Sequence, residues 1–239
     1  MAKLNWSQGI LRSGKMLGKS KRRYMACWIS KSILAAVLIV LAVVRNQAVV
    51  AQDKVLTDFL AAVQAASDKV NSFSTDFTQE KELAMFDRPV IFEGRLNLVR
   101  PDKLRWEFFT PIKSVLIFNG ESGLRCTEQQ QNAFELASDP VMRMVAEQLW
   151  LWLGGDYQRL ASTHDLEMLA PAGLLISPKG ENESAYISAL TILFDEKTLQ
   201  PRQVMIFESG GDRTNLTFHS GIINGEVPAH LFSECRHDE

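Results

Sequence analysis

Hydrophobic and polar positions alternate through Phe92–Pro111, FEGRLNLVRPDKLRWEFFTP, and the alternation breaks once, at Arg100-Pro101. Before the break, Val90, Phe92, Leu96 and Leu98 share one parity, with Glu93, Arg95 and Asn97 on the other. After it, Leu104, Trp106 and Phe108 alternate with Lys103, Arg105 and Glu107. Successive strand side chains point to opposite faces, so each run has an apolar side and a charged side. Proline cannot donate to a strand ladder, which makes Arg100-Pro101-Asp102 the turn. The pattern predicts an antiparallel hairpin with one dry, aromatic-lined face and one wet face.

The rest of the chain must supply cover for the dry face. Residues 55–70 repeat Leu56, Phe59, Leu60, Val63, Ala66 and Val70 at helical spacing, which predicts a first helix. The period then changes to two, with Phe73, Thr75, Phe77 and Gln79 on one side of a strand reaching about residue 83. Residues 114–118 are apolar on both faces, and Asn119-Gly120 follows as a turn. Weaker strands are expected at 124–127 and 133–136. Connections this short permit only antiparallel neighbours. Asp139-Pro140 opens a second helix, with Asp as the cap and Pro at the first position, and Gly154-Gly155 stops it. Its polar residues are Arg143, Glu147 and Gln148. It is too apolar for a surface helix with one buried stripe and too short to span a bilayer. Further strands are expected at 166–169, 174–177, 185–194, 202–208 and 215–223. Ten or eleven strands with two helices make a mainly β (α+β) chain, and one sheet of that size must curl or close.

Charge is distributed unevenly. Of the 26 Lys and Arg, nine fall in residues 1–51, where no Asp or Glu occurs. That leaves 17 against all 28 acidic residues, a balance of −11 for residues 52–239. An acidic body argues against nucleic acid as a partner. The basic head, with Lys19, Lys21, Arg22 and Arg23 before the apolar run 33–44, reads as a cleavable export signal with its cleavage site after Ala51. Met25 offers an alternative start that leaves a leader of ordinary length. Twelve apolar residues span roughly 18 Å as a helix, short of the ~30 Å hydrocarbon core. Residues 52–239 are therefore expected as one exported, soluble, monomeric domain. Cys126 and Cys235 remain in it, and an oxidising compartment permits them to pair. The sequence leaves both a bridge and two free thiols open.

No catalytic constellation stands out. Gly120-Glu121-Ser122-Gly123 lacks the spacing of a nucleophile elbow. His164, His219, His230 and His237 show no metal-ligand spacing, there is no Cys-x-x-Cys, and no Gly-rich phosphate loop precedes a helix. The expectation is a binding protein with no enzymatic activity, cofactor or metal.

An amphipathic helix, then SFSTDFTQEKEL (Ser72–Leu83), then EGRLNLVRPDKLRWEFFTP, then a strand ending in Asn119-Gly120, resembles the LolA family of periplasmic outer-membrane lipoprotein carriers. The likeness extends to PRQVMIFESGGDRTNLTF (Pro201–Phe218). It implies a single strongly curved antiparallel sheet, an incomplete β-barrel, with helices as a lid over an acyl-chain cavity. On that resemblance the cavity takes Leu104, Trp106 and Leu116 from the sheet and Met142 or Met144 from the lid, and the apolar strand faces read above add Phe77, Phe92, Leu96, Leu98 and Phe108. Arg100 falls at its mouth as the lid latch. The implied partners are acylated lipoproteins, an inner-membrane lipoprotein-releasing ABC transporter and an outer-membrane receptor, with the periplasm as the compartment. Three departures mark this chain. Leu104 stands where an aromatic is often found, Cys126 and Cys235 are unusual, and Ser233-Glu234-Cys235 replaces a proline-containing aromatic segment. A paralogue that carries a glycolipid or another amphiphile, or a sensor module of the same fold, is the alternative.

Overall fold

The computed structural model describes residues 53–236, apart from 154 and 181–185, with the side chains of 151, 152 and 158 also left out. The basic head, Met25 and the Ala51 cleavage position lie outside the described residues, as does the beginning of the strand expected at 185. Lys54–Glu239 forms a compact unit of its own.

Helix α1 covers residues 53–67 and is followed by β1 (Ser72–Glu82), β2 (Val90–Val99), β3 (Lys103–Thr110), β4 (Ser114–Asn119), β5 (Ser122–Thr127) and β6 (Gln131–Glu135). Helices α2 (Pro140–Leu153) and α3 (Tyr157–Thr163) interrupt the strands. The chain returns through β7 (His164–Leu169), β8 (Gly173–Pro178), β9 (Ile187–Phe194), β10 (Pro201–Glu208), β11 (Arg213–Phe218) and the two-residue β12 (Ile222–Ile223). A 3-10 helix, Ala229–Phe232, comes last. The strands form one antiparallel sheet in the order β6-β5-β4-β3-β2-β1-β11-β10-β9-β8-β7, with β12 paired to the beginning of β1. The order ends in β6 and β7 without joining them, so the barrel is incomplete.

Eleven-residue β1 is the spine. It pairs with β2 from Ser72↔Val99 to Lys81↔Val90 and with β11 from Phe77↔Phe218 to Glu82↔Arg213. Register carries the inner parity across the wing. Leu98, Leu104, Phe118, Gly123 and Phe134 form one row, and Leu96, Trp106 and Leu116 form the next. Gly94 and Gly123 are required by close approach. A Cβ on Gly94 would lie 2.5 Å from Cζ of Phe77, and one on Gly123 would lie 2.2 Å from Cζ of Phe134. In each place an aromatic ring lies where a side chain would stand.

The second half of the sheet follows the same parity, with Leu174, Ile176, Leu190, Ile192, Phe194, Val204, Leu216 and Phe218 all buried on the inner side. The strand expected at 215–223 is broken. The chain leaves β1 after Phe218 and rejoins it as β12, where Asn224 accepts the Asn71 N–H at 2.7 Å.

The outer face corrects one expectation. Arg105 and Glu107 were placed on a wet face, yet they are 0% and 1% exposed. The C-terminal segment crosses the outside of β3–β5 and buries them. Leu231 and Phe232 pack against Val115, Ile117 and Cys126, which explains why β4 is apolar on both faces. Arg105 Nε donates to Glu107 Oε2 at 2.9 Å, its Nη1 donates to the carbonyls of Leu231 and Glu234, and its Nη2 donates to that of Arg236. Cys126 and Cys235 are joined as a disulfide with Cα atoms 5.8 Å apart, closing a separation of 109 residues. A buried ion pair rarely adds much net stability, but removing one partner strands the other charge. Arg105→Met is therefore expected to cost about 3–5 kcal/mol, measured by urea unfolding against the unmodified protein. A midpoint that does not move would show that Arg105 and Glu107 are in contact with water.

Candidate functional site

The inner face is covered by helices rather than by a second sheet. In α1, Val63 is fully buried, and Leu56, Phe59 and Leu60 are packed partly against the same core. Helix α2 begins as its sequence requires, with Asp139 accepting the Met142 N–H at 3.0 Å and Pro140 at the first position. It lays Met142 and Ala146 into the core, with Val145, Leu149, Trp150 and Leu153 alongside. The third helix was not anticipated. Its signal was a capping Asp156 after Gly154-Gly155, with Tyr157 and Leu160 one turn apart. Asp156 accepts the Arg159 N–H at 3.0 Å, and Tyr157 and Leu160 are buried. Phe194 of β9 receives the rings of both Phe59 and Tyr157 edge-on, each 5.7 Å between centroids.

Most of the sequence-assigned cavity residues converge. Phe77, Leu96, Leu98, Leu104, Trp106 and Met142 are buried in one cluster, with Phe108 and Leu116 half-buried at its margin. Phe77 lies 5.0 Å from Trp106 and 5.4 Å from Phe108, and Phe108 lies 5.5 Å from Phe92, so the aromatics form a continuous wall. Such contacts favour edge-on geometry. Leu104, where an aromatic is often found, is completely buried. Met144 is placed elsewhere. It is 52% exposed, as is Val141 at 56%, because α2 turns Met142 and Ala146 inward and these two outward. The resemblance offered Met142 or Met144 for the lid, and a helix apolar on nearly all sides does not by itself show which of the two faces inward.

Arg100 directly follows β2 and reaches the helices. Its Nη2 donates to Ser67 Oγ of α1, and its backbone N–H donates to the Asn71 carbonyl at 2.8 Å. Gly155, with φ +79°, brings the α2–α3 connection against this pair. A Cβ there would lie 1.9 Å from Ser67 Oγ and 3.5 Å from Arg100 Nη2. Tyr157 N–H donates to Gln64 Oε1 at 3.3 Å. Sheet, α1 and the α2–α3 connection therefore meet at one point, and Ser67, Gly155 and Tyr157 are the partners that sequence reasoning did not name. Burial pushes the Tyr157 phenol well above its ordinary range, against a smaller opposing pull from the Arg100 guanidinium.

Beside this junction lies a cleft of about 480 Å³ between the sheet turns and the helices. Asp102 and Glu121 line it from the turns, Arg143 and Glu147 from α2, and Trp150 sits among them. The site is an apolar interior covered by helices that join the sheet through short connections, with a mixed-charge cleft beside their junction with Arg100.

A half-open antiparallel barrel with a helical lid over an apolar interior is the architecture of a container for apolar ligands. The model of the outer membrane lipoprotein carrier protein LolA family matches residues 68–235, and the chain belongs to that family. An outer-membrane lipoprotein carrier protein of Chromohalobacter salexigens is 24% identical over 179 residues, covering 71% of this chain and 79% of that one. Among solved structures, the Pseudomonas aeruginosa MucA/MucB complex is similar at TM-score 0.46 and 15% identity, over 75% of this chain and 62% of that one. The chain thus spans under two thirds of that neighbour. A LolA superfamily protein from Nitrosomonas europaea is similar at TM-score 0.39 and 7% identity, over 73% and 97%.

The raised Tyr157 pKa has a sign. The phenol is neutral in both states below the unfolded value near 10, so its contribution to stability is complete there. Above that pH the unfolded chain ionises first, and stability falls by up to about 1.4 kcal/mol per pH unit. Tyr157→Phe should flatten this alkaline loss relative to the unmodified protein in urea unfolding between pH 9 and 11. Equal slopes would mean that Tyr157 is in contact with water.

Proposed function

We propose that the protein is a non-catalytic periplasmic carrier that holds the acyl chains of lipoproteins inside the half-barrel. It takes them from an inner-membrane lipoprotein-releasing ABC transporter and passes them to an outer-membrane receptor. The observation that supports this most directly is what fills the interior. The aromatic wall from Phe77 to Phe108 shares one buried core with side chains of three helices, Val63, Met142, Ala146, Tyr157 and Leu160 among them, and these helices join the sheet through short connections. Cargo would take the place of the helices. Three chains of ~16 carbons offer on the order of 30 kcal/mol of transfer free energy, before costs, at ~0.8 kcal/mol per buried CH₂. A carrier must offset much of that to release its load, and displacing its own buried helices supplies an opposing term of the same kind. The polar end of the cargo would face the mixed-charge cleft. Among the described residues no helix is long and apolar enough to cross a membrane.

In this reading Arg100 holds the closed, empty form through Ser67. Hydrogen bonds to a charged group are worth about 1.5–3 kcal/mol. Arg100→Leu should therefore favour the open state, raising uptake of a lipid-modified peptide about tenfold or more and slowing its transfer to acceptor membranes. Trp106→Ala should do the opposite, weakening uptake by stripping the wall while leaving the latch intact. Binding is read by native mass spectrometry and transfer by flotation with vesicles. If Arg100→Leu takes up and hands over cargo like the unmodified protein, the latch is wrong. If neither variant nor the parent retains a lipid-modified peptide, the carrier reading is wrong.

A further inference from the structure

The outside of β3–β5 carries a feature that acyl binding does not use. The chain is pinned as far as Gly225, whose carbonyl accepts the Ser72 hydroxyl at 2.7 Å, while the Asn224 side chain donates to the Lys69 carbonyl at 2.9 Å. Residues 226–236 then run across the sheet as a strap of eleven residues whose regular structure is one 3-10 turn. Leu231 and Phe232 are its buried side chains. Its polar anchorage to the sheet centres on one side chain, Arg105, which takes the carbonyls of Leu231, Glu234 and Arg236. Leu231, Phe232, the half-buried Val227 and one guanidinium are modest holds against the entropy of ordering eleven residues. The covalent tie at Cys235 removes much of that cost by keeping the far end of the strap against β5.

The two cysteines differ in burial. Cys126 is 2% exposed on β5, whereas Cys235 is half-buried near the outer end of the strap, between exposed Glu234 and Arg236. We infer that the Cys126–Cys235 bond is a thiol–disulfide exchange site whose opening releases the C-terminal strap from the outer face of β3–β5. The reaction partner is a small thiol or a dithiol protein. Its thiolate attacks Sγ of Cys235, forming a mixed disulfide, and Cys126 leaves as a thiolate that takes a proton. A second thiolate then attacks the partner's sulfur in the mixed disulfide and frees Cys235. Two thiols are oxidised to one disulfide, and their two protons end on Cys126 and Cys235. Release would uncover Val115 and Ile117 together with the Arg105–Glu107 pair, changing the support behind Trp106 and Leu116 on the other side of the same strands. This step is independent of what the interior holds.

The test uses the folded, oxidised protein without cargo. Dithiothreitol is added under native conditions, bond opening is followed by a mass gain of two hydrogens, and amide exchange is measured by mass spectrometry. The expected result is exchange of residues 226–236 accelerated by about 100-fold or more, with β1 and β2 unchanged, as for opening confined to one segment. Cys235→Ser should match the reduced protein, and if that variant does not fold, reduction of the folded parent decides. The inference is overturned if the bond resists dithiothreitol in the folded protein. It is overturned equally if the strap stays protected once the bond is open, or if reduction unfolds β1 and β2 as well.

Discussion

The structure depends on one constraint: an open sheet with a continuous apolar inner face has no second sheet to cover it. A barrel that closed edge to edge would bury those side chains on one another. Here β6 and β7 do not pair, and the burden falls on helices tied to the sheet by short connections. Val63, Met142, Ala146, Tyr157 and Leu160 meet that burden, and Phe194, held between Phe59 and Tyr157, shows how closely they fit. Helical cover has a consequence that a second sheet would not have. Its contacts with the wall are side-chain contacts, so leaving the wall breaks no strand ladder. Arg100, Ser67 and Gly155 bring the end of β2, α1 and the α2–α3 connection together at one junction.

The wall is supported from both sides. Trp106 and Leu116 face inward from the strands whose outer positions are Arg105, Val115 and Ile117, and the strap with its disulfide holds those outer positions. This wing is thus packed on both faces. On the other wing the helices α1 and α3 sit against β9. The match over residues 68–235 places this open sheet with its apolar interior in the LolA family.

Much of this was legible in the sequence because period-two alternation survives wherever one face is buried and the other is wet. The Phe92–Pro111 hairpin, the Gly-marked turns and the capped second helix needed no tertiary information. What failed did so where periodicity cannot report the partner or the facing. Arg105 and Glu107 read as a solvated face because charge is ordinarily solvated, and a segment more than a hundred residues away covers them. The two-sided apolarity of residues 114–118 was the visible trace of that cover. Of Met142 and Met144, both offered by the resemblance, Met142 is the inward one, and a helix apolar nearly all round does not reveal that choice. Helix α3 was missed because seven residues give little periodicity, although Asp156 after two glycines is a start signal. The partners of Arg100 lie in α1 and beyond α2, and no local rule joins them to a strand end.

The central claim is that the helices occupy the space that cargo takes. Amide hydrogen exchange of the protein with and without one equivalent of bound lipid-modified peptide tests it directly. Loading is expected to speed exchange in α2 and α3 while β2, β3 and β4 keep or gain protection, because the helices are displaced and the wall is not. Stoichiometric binding that leaves α2 and α3 as protected as before, or more so, would contradict the account.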